Sequence, residues 1–435
     1  MARSELRHEE SILRDLSWLG LHWDEGPDMG GPFGPYRQSE RAAGHTTAAD
    51  QLLACGAAYH CFCSQDRLEE LRARQMAEGR TPRYDRRCAA LSPAAALARV
   101  RAGEPAALRL HVPDREVVVD DLIRGPVVFG AEALGDFILV RSSGGAGYNF
   151  AAAVDDRDMR ITHVIRGDDH LTNTARQLLV LDALGAEPPK YAHHSLVLGP
   201  DGSKLSKRHG ATAVGDYRAL GYLPQAVDNY LALLSWSHGE QEVLTLPAME
   251  QEFEIEALSA SPAIFDQPKL DWLGHQHVML LDDEEHQRLV AERLPPGTPP
   301  PAAAALAAAL KPSISYYGQV PELTAQVLMA PAPEALRPAL AAVSFVDVPL
   351  DVFLRLRAAG PEWLSPEAAR ELLTVYRAAA AERGLGARRA LPPLRLLLTG
   401  REHGPELHYV LAALARADAL ERVRRGLDLV QGDAS

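Results

Sequence analysis

The chain has 435 residues, 47% hydrophobic and 24% charged, a balance that suits a globular protein of about three domains. Its net charge of −13 argues against a general nucleic-acid coat or a binder of anionic membranes, while leaving room for a local basic surface. Every run of 18 or more residues is broken by charge and the start, "MARSELRHEE", has no apolar core, so neither a membrane span nor a secretion signal is expected and the default location is cytoplasmic.

Residues 1–20 read as a helix with Ile12, Leu13, Leu16 and Leu19 on one apolar stripe. The glycines and prolines of "DEGPDMGGPFGPYRQSER" predict a loop, and a second helix follows near 41–57. From 61 to about 147 the pattern is mixed. A charged helix over 65–78 leads into the strand-like runs "AALRLHV", "EVVVDDLI" and "FILVRSS". "YNFAAAVDD", "ITHVIRG" and "HHSLVLG" are three more short apolar runs ending in polar residues or glycine, and a helix, "NTARQLLVLDALG", separates the last two. Strand, helix, strand at this length is a βαβ unit, hence parallel sheet, and ligands of such sheets sit at the carboxyl ends of the strands. Arg166, Asp168, Asp169 and His170 fall there. Beyond about 212 the chain reads mostly helical. "PPGTPPPAAAALAAALKP" (295–312) resembles a linker running into an alanine-rich helix, and a second Pro/Ala interruption lies at 331–338.

Only five of the 45 basic residues are lysine, yet Lys204 and Lys207 lie three apart in "GPDGSKLSKRHG", with Ser206 between them and Arg208 after. Either this is the charged tip of a surface loop, or the loop needs compact, mobile ammonium groups rather than guanidinium forks. Such groups can sit on the β and γ phosphates of a triphosphate and stabilise a departing pyrophosphate. Cys55, Cys61, Cys63 and Cys88 all lie in the first quarter of the chain. In a chain with no secretion signal, clustered cysteines suggest metal rather than disulfides. Cys55, in the apolar "QLLACGAAY", reads as core; the other three leave a choice between a zinc site short of its fourth ligand and three buried thiols. The stretch 383–425 carries nine arginines, which are either solvated helix faces or a basic surface.

"KLSKR" with its upstream glycines resembles the KMSKS-type signature of class I aminoacyl-tRNA synthetases. Together with "WDEGPDMGGPFGPYRQSER", "ITHVIRGDDHLTNTARQ" and "GYLPQAVDNYLALLSWS" it resembles the bacterial glutamyl-tRNA synthetases, and "LPPLRLLLTG" is similar to the anticodon-binding end of that family. The resemblance covers nearly the whole chain. It implies an α/β part followed by an all-α part: a Rossmann-like catalytic domain lacking its first strand and helix (1–60, resuming at 148–200), an inserted acceptor-binding segment (61–147), the KMSKS loop with a helical stem-contact domain (201–280), and a helical anticodon-binding domain (281–435). It implies ATP-dependent activation of L-glutamate with Mg²⁺, and transfer to the terminal adenosine of tRNA(Glu), by a monomer. Lys207 would contact ATP phosphates with Lys204, Ser206 and Arg208 in support; Tyr148 and Arg166 match glutamate-pocket positions; and Arg395 is the candidate tRNA contact. For Arg166 an ion pair with Asp168 or Asp169 is the rival reading, and Tyr148 could equally be core. Zn²⁺ on Cys61, Cys63, Tyr84 and Cys88 is expected by the family's pattern, with His60 or water as the substitute for Tyr84.

The chain departs from the family at its start, where a HIGH-type histidine signature would open the fold, and no His-x-Gly-His occurs in it. Low glutamate activation is therefore expected of these residues alone, either because the start was set at an internal methionine or because the truncation is real. The family's glycine-lysine near the end is replaced by "LARADALERV". The rival functions are a synthetase-like protein that binds tRNA without catalysis, a glutamyl-transferring tRNA-modifying paralogue, which would look like the catalytic half alone, and the glutaminyl relative, whose anticodon part is β-barrel.

Overall fold

A computed structural model describes residues 6–206, 208, 210, 212–236, 239–333, 336, 337 and 348–432. α1 (Leu6–Trp18) carries the expected stripe only in part: Leu19, just beyond it, is buried, but Ile12 is exposed. α2 (Ala42–Ala54) follows the glycine-rich loop, and its face of Ala48, Ala49 and Leu52 enters the core. Arg41 ahead of it is a buried cation whose Nε meets Asp155 at 2.6 Å and whose Nη2 meets Asp158 at 3.2 Å, while His45 lies 2.8 Å from the same Asp155. A buried guanidinium requires such partners.

The next segment builds two sheets. β1 (Ala58–Cys61) leads to α3 (Gln65–Ala77), whose first turn is capped by Ser64, and to α4 (Pro93–Arg101), capped by Ser92 with proline at its start. β2 (Ala107–Leu110) pairs antiparallel with β1. β3 (Val117–Asp121) and β4 (Gly125–Phe129) form a hairpin, after which come α5 (Ala131–Leu134) and β5 (Ile138–Val140), the latter on the far side of β2. In β3, Val117, Val119 and Asp121 point inward and Val118 and Asp120 outward, the period of two that the sequence shows.

"YNFAAAVDD", grouped with the strand-like runs, is instead the helix α6 (Tyr148–Asp158). Its apolar residues share one helical face: Phe150, Ala151, Ala153 and Val154 are buried. β6 (His163–Gly167), α7 (Leu171–Ala183) and β7 (Lys190–His194) make the expected βαβ unit, with β6 and β7 parallel and Arg166 opposite His193, but its second strand is "KYAHH" rather than "HHSLVLG", whose Val197–Leu198 pairs elsewhere. The sheet order is β4-β3-β7-β6, so the hairpin 117–129 completes the parallel sheet across the boundary expected near 147. The core beneath it joins Leu52, Leu110, Val119, Leu139, Phe150 and Val180.

β8 (Val197–Leu198) pairs in parallel with β9 (Ala263–Ile264), which returns after α8 (Val214–Leu220), α9 (Pro224–Ser235) and α10 (Leu246–Glu252). The helices described beyond it are α11 (Gln267–Leu280), α12 (Asp283–Ala291), α13 (Pro300–Leu310), α14 (Val320–Leu328), and then Leu350–Ala359, Pro366–Glu382, Ala387–Thr399, Leu407–Ala413 and Arg416–Gly432. The alanine-rich α13 is apolar on most sides and sits inside, as such a helix must. No described helix is long and apolar enough to cross a membrane.

The arginine-rich end is partly structural. Arg422 is buried and donates to the carbonyls of Val327 (2.8 Å), Leu328 (2.7 Å) and Leu398 (2.8 Å), the last turns of two helices, with Asp418 at 2.9 Å as its counter-charge. Arg383 pairs with Asp351, and Arg416 with Glu362. Arg422→Met should strip those carbonyls of their donors and lower stability by about 3 kcal/mol, read as a fall in the urea midpoint. A midpoint equal to that of the parent would mean that water serves the carbonyls as well as the guanidinium does.

Candidate functional site

The carboxyl ends of β6 and β7 place the first group of side chains. Arg166 points along the sheet toward α7. Its Nη2 donates to Thr174 Oγ1 at 2.6 Å and Gln177 Oε1 at 2.7 Å, and its Nε meets His193 Nε2 at 3.3 Å. Among the described residues Nη1 has no partner. The anticipated rival, an ion pair with the neighbouring aspartates, is absent because those carboxylates are engaged elsewhere: Asp168 with Arg124 at 2.8 Å and Asp169 with Lys204 at 3.1 Å. Lys204 holds the Asp169 carboxyl below its ordinary range. Burial pushes Asp156 up to about 6 against the pull of Arg166.

Tyr148 opens α6 and is exposed, not core. Its hydroxyl lies 3.5 Å from His170 Nδ1, which also receives Asn173 at 3.1 Å. Asn173 accepts from Asn149 at 3.3 Å, and Asn149 accepts from Gln177 at 3.5 Å. A continuous hydrogen-bonded chain thus runs from Tyr148 to the Gln177 that holds Arg166. The loop after β8 brings Lys204 against the same Gly167–His170 turn; Arg208 pairs with Asp201 at 3.0 Å on its outer side, and Ser206 lies between them. Lys207 is outside the described residues.

The second group is the thiol cluster. Cys61 ends β1, Cys63 precedes α3, and Cys88 lies in a short 3-10 turn; their sulfurs all fall within 4.8 Å of one another. Cys63 and Cys88 are 3.7 Å apart, and the Tyr84 hydroxyl is 3.4 Å from Cys63 Sγ and accepts the Cys88 N–H at 3.0 Å. Sulfurs held 2.3 Å from a tetrahedral ion would stand about 3.8 Å apart, so this donor set fits zinc. His60 is not part of the cluster, and Cys55 is exposed at the end of α2, a correction to its expected place in the core: the apolar face of that helix turns away from it. Burial would raise the Cys61 thiol, but hydrogen bonds from Tyr84 and Arg109 outweigh it and draw the thiol down. Arg109 also lies over the Tyr84 ring at 4.1 Å. A cavity of about 720 Å³ connects this cluster with Tyr148, passing Phe62, Arg109 and Arg141.

Arg395 is distant in sequence and fold from both groups. It is half-buried, and its Nη1 donates to the Pro405 carbonyl at 2.6 Å, pinning the loop after helix Ala387–Thr399.

Sequence reasoning missed Asp121, Arg124 and His193, and the Thr174–Gln177 pair. The last was within reach, since 174 and 177 share one face of the helix predicted after the strand. Asp121 and Arg124 gave no local signal, because the hairpin that carries them reaches the site only through strand pairing.

A family model described as "tRNA synthetases class I (E and Q), catalytic domain" matches residues 1–272, and one described as "Anticodon binding domain" matches residues 290–427. The chain is 42% identical to a glutamate–tRNA ligase of Heliobacterium modesticaldum, over 99% of this chain and 88% of that protein. It is 39% identical to a glutamate–tRNA ligase of Desulfitobacterium hafniense, over 99% and 91%. Its fold is similar to the crystal structure of a glutamate tRNA ligase from Elizabethkingia meningosepticum in complex with its amino acid, with a TM-score of 0.84, 28% identity and coverage of 97% and 89%.

Asp156 makes the stability of the fold depend on pH. Its carboxyl is raised from 3.8 to about 6, so the folded state holds the proton more tightly than the unfolded chain, and stability falls as pH rises through that window. Asp156→Asn should remove this slope: melting midpoints of parent and variant converge at acid pH, and the variant melts higher at neutral pH. Parallel pH profiles would show that Asp156 is not the source.

Proposed function

The chain belongs to the class I tRNA synthetases for glutamate and glutamine, and from that premise we propose that it is a glutamate–tRNA ligase. The observation that carries the reading is the meeting of Arg166, Tyr148 and Lys204 around the Gly167–His170 turn: a cation for an acidic amino acid beside a cation for phosphate. The helical C-terminal part separates it from the glutaminyl relative with its β-barrel, and from paralogues that consist of the catalytic half alone.

In the proposed first step a carboxylate oxygen of L-glutamate attacks the α-phosphorus of ATP. The bond from that phosphorus to the oxygen it shares with the β-phosphate breaks and pyrophosphate leaves; Mg²⁺ when bound would offset part of its charge. Arg166, through Nη1, and the Tyr148 hydroxyl hold the substrate's second carboxylate, where an Arg contact gives charge-assisted hydrogen bonds. Lys204, Lys207 and Arg208, with Ser206, neutralise the charge that grows on the leaving phosphates. In the second step a ribose hydroxyl of the terminal adenosine of tRNA(Glu) attacks the acyl carbon, loses its proton, and AMP departs. The cavity from the thiol cluster to Tyr148 is the path we assign to the acceptor end. We further assign 61–147 to the acceptor, 201–280 to the stem and 281–435 to the anticodon, with Arg395 as a tRNA contact at the loop it pins, in a monomer acting in the cytoplasm.

Cys61, Cys63, Cys88 and Tyr84 would hold a structural Zn²⁺, which when bound supplies a closed four-ligand staple between the end of β1, the start of α3 and the 3-10 turn. The metal reading predicts about one zinc per chain in protein purified without added metal, falling below roughly a tenth in Cys88→Ser. Less than that in the parent overturns the site. The ligase reading is tested by offering the chain ATP, Mg²⁺, tRNA and labelled amino acids: glutamate is attached to tRNA, slowly in keeping with the missing HIGH-type segment, and glutamine is not. Equal or preferential use of glutamine overturns it.

A further inference from the structure

We infer that Asp121 and His193 are positioning residues that orient the Arg166 guanidinium toward its ligand. The inference rests on the reading of Arg166 as the glutamate-binding cation.

His193 and Asp121 have fully buried side chains, and Nδ1 of the ring lies 2.6 Å from Asp121 Oδ2. A buried carboxylate accepts there, so the proton sits on Nδ1. Nε2 is then left with a lone pair. It faces Arg166 Nε at 3.3 Å and Thr174 Oγ1 at 2.8 Å, both able to donate. With the proton on Nε2, two donors would confront each other inside the protein. Parallel pairing sets Arg166 directly opposite His193, so the ring acts on the guanidinium from the adjacent strand. Thr174 and Gln177 take Nη2 from the helix side. Between them these contacts fix the guanidinium plane and leave Nη1 without a partner among the described residues.

Asp121 is itself immobile. Its Oδ1 accepts the backbone N–H groups of Ile123 (3.0 Å), Arg124 (2.9 Å) and His193 (3.3 Å). Burial alone would raise this carboxyl, but the hydrogen bonds from the His193 ring and from these backbone groups hold it low. Burial also lowers the proton affinity of His193 in spite of Asp121, in keeping with a neutral ring. The same turn sends Arg124 to Asp168 at 2.8 Å and to Ser195 at 2.9 Å. A hairpin from the inserted segment thus reaches both acidic and basic members of the site.

Asp121→Asn separates this role from a merely structural one. Asparagine keeps an oxygen for the backbone donors but places an NH₂ opposite Nδ1, which drives the ring proton to Nε2 and against Arg166. Glutamate affinity, measured by calorimetry, should weaken about tenfold, ATP affinity should stay within about twofold, and the melting midpoint should hold. His193→Gln offers an oxygen near the place of Nε2 and should keep glutamate affinity within about threefold of the parent, while His193→Leu should match the loss in Asp121→Asn. This pair decides the matter if Asp121→Asn does not fold. Arg166→Gln is measured alongside. If it abolishes glutamate binding while Asp121→Asn and His193→Leu leave that binding unchanged, the positioning role is overturned and the pocket reading stands. If Arg166→Gln itself binds glutamate normally, the pocket reading fails and the positioning role falls with it. Equal losses of glutamate and ATP affinity in Asp121→Asn would also overturn it, since they report general damage.

Discussion

The register between β6 and β7 is the constraint on which the site depends. Arg166 stands opposite His193 and Gly167 opposite His194, so both strands stop at one level. A parallel sheet leaves its strand-end groups pointing one way, and the chain must leave that edge by a turn and a helix. Here the turn is Gly167–His170 and the helix is α7, which puts Thr174 and Gln177 within reach of Arg166. Slipping the pairing by one residue would turn Arg166 to the other face of the sheet and leave Gln177 and His193 without it.

Around this edge the molecule handles buried charge in a consistent way. Guanidinium groups, which present five donors in a plane, are used as clamps. Arg41 ties the loop before α2 to α6 through Asp155 and Asp158. Arg124 joins Asp168, Ser195 and the His193 carbonyl. In the C-terminal part Arg357 gathers the loop carbonyls of Pro361 and Glu362, and Arg422 gathers carbonyls at helix ends. An ammonium could not span such sets of acceptors, because its three donors radiate from one point. That is a physical reason for arginine at clamps, with Lys204 left in an exposed loop where a screened pair with Asp169 can open readily.

The thiol cluster extends the same organisation outward. Its cysteines come from the end of a strand, the entry to a helix and a separate 3-10 turn, and the three pieces have no shared hydrogen-bond ladder except through β1. Arg67 lies 3.4 Å from Cys63 Sγ, and Arg109 lies over Tyr84, so positive charge surrounds the sulfurs. The cavity beginning there ends at Tyr148, so the inserted segment and the start of α6 line one continuous space.

Much of this was legible in the residues themselves. The βαβ unit, the strand-end position of Arg166, the paired lysines and the Cys61–Cys63–Cys88 grouping are properties of local periodicity and spacing, which survive without knowledge of the fold. "YNFAAAVDD" was not, because a short apolar run fits strand and helix alike until its neighbours choose which face is covered. Cys55 and Ile12 went the other way, since an apolar setting in sequence does not say which side of a helix meets the core. Only the tertiary structure decided that Asp121 and His193 meet behind Arg166, that Arg422 closes helix ends, and that Tyr148 and Lys204 border one turn. Those contacts join residues 22 to 95 positions apart in the chain, and no spacing rule reaches across a strand pairing that forms only when the whole sheet does.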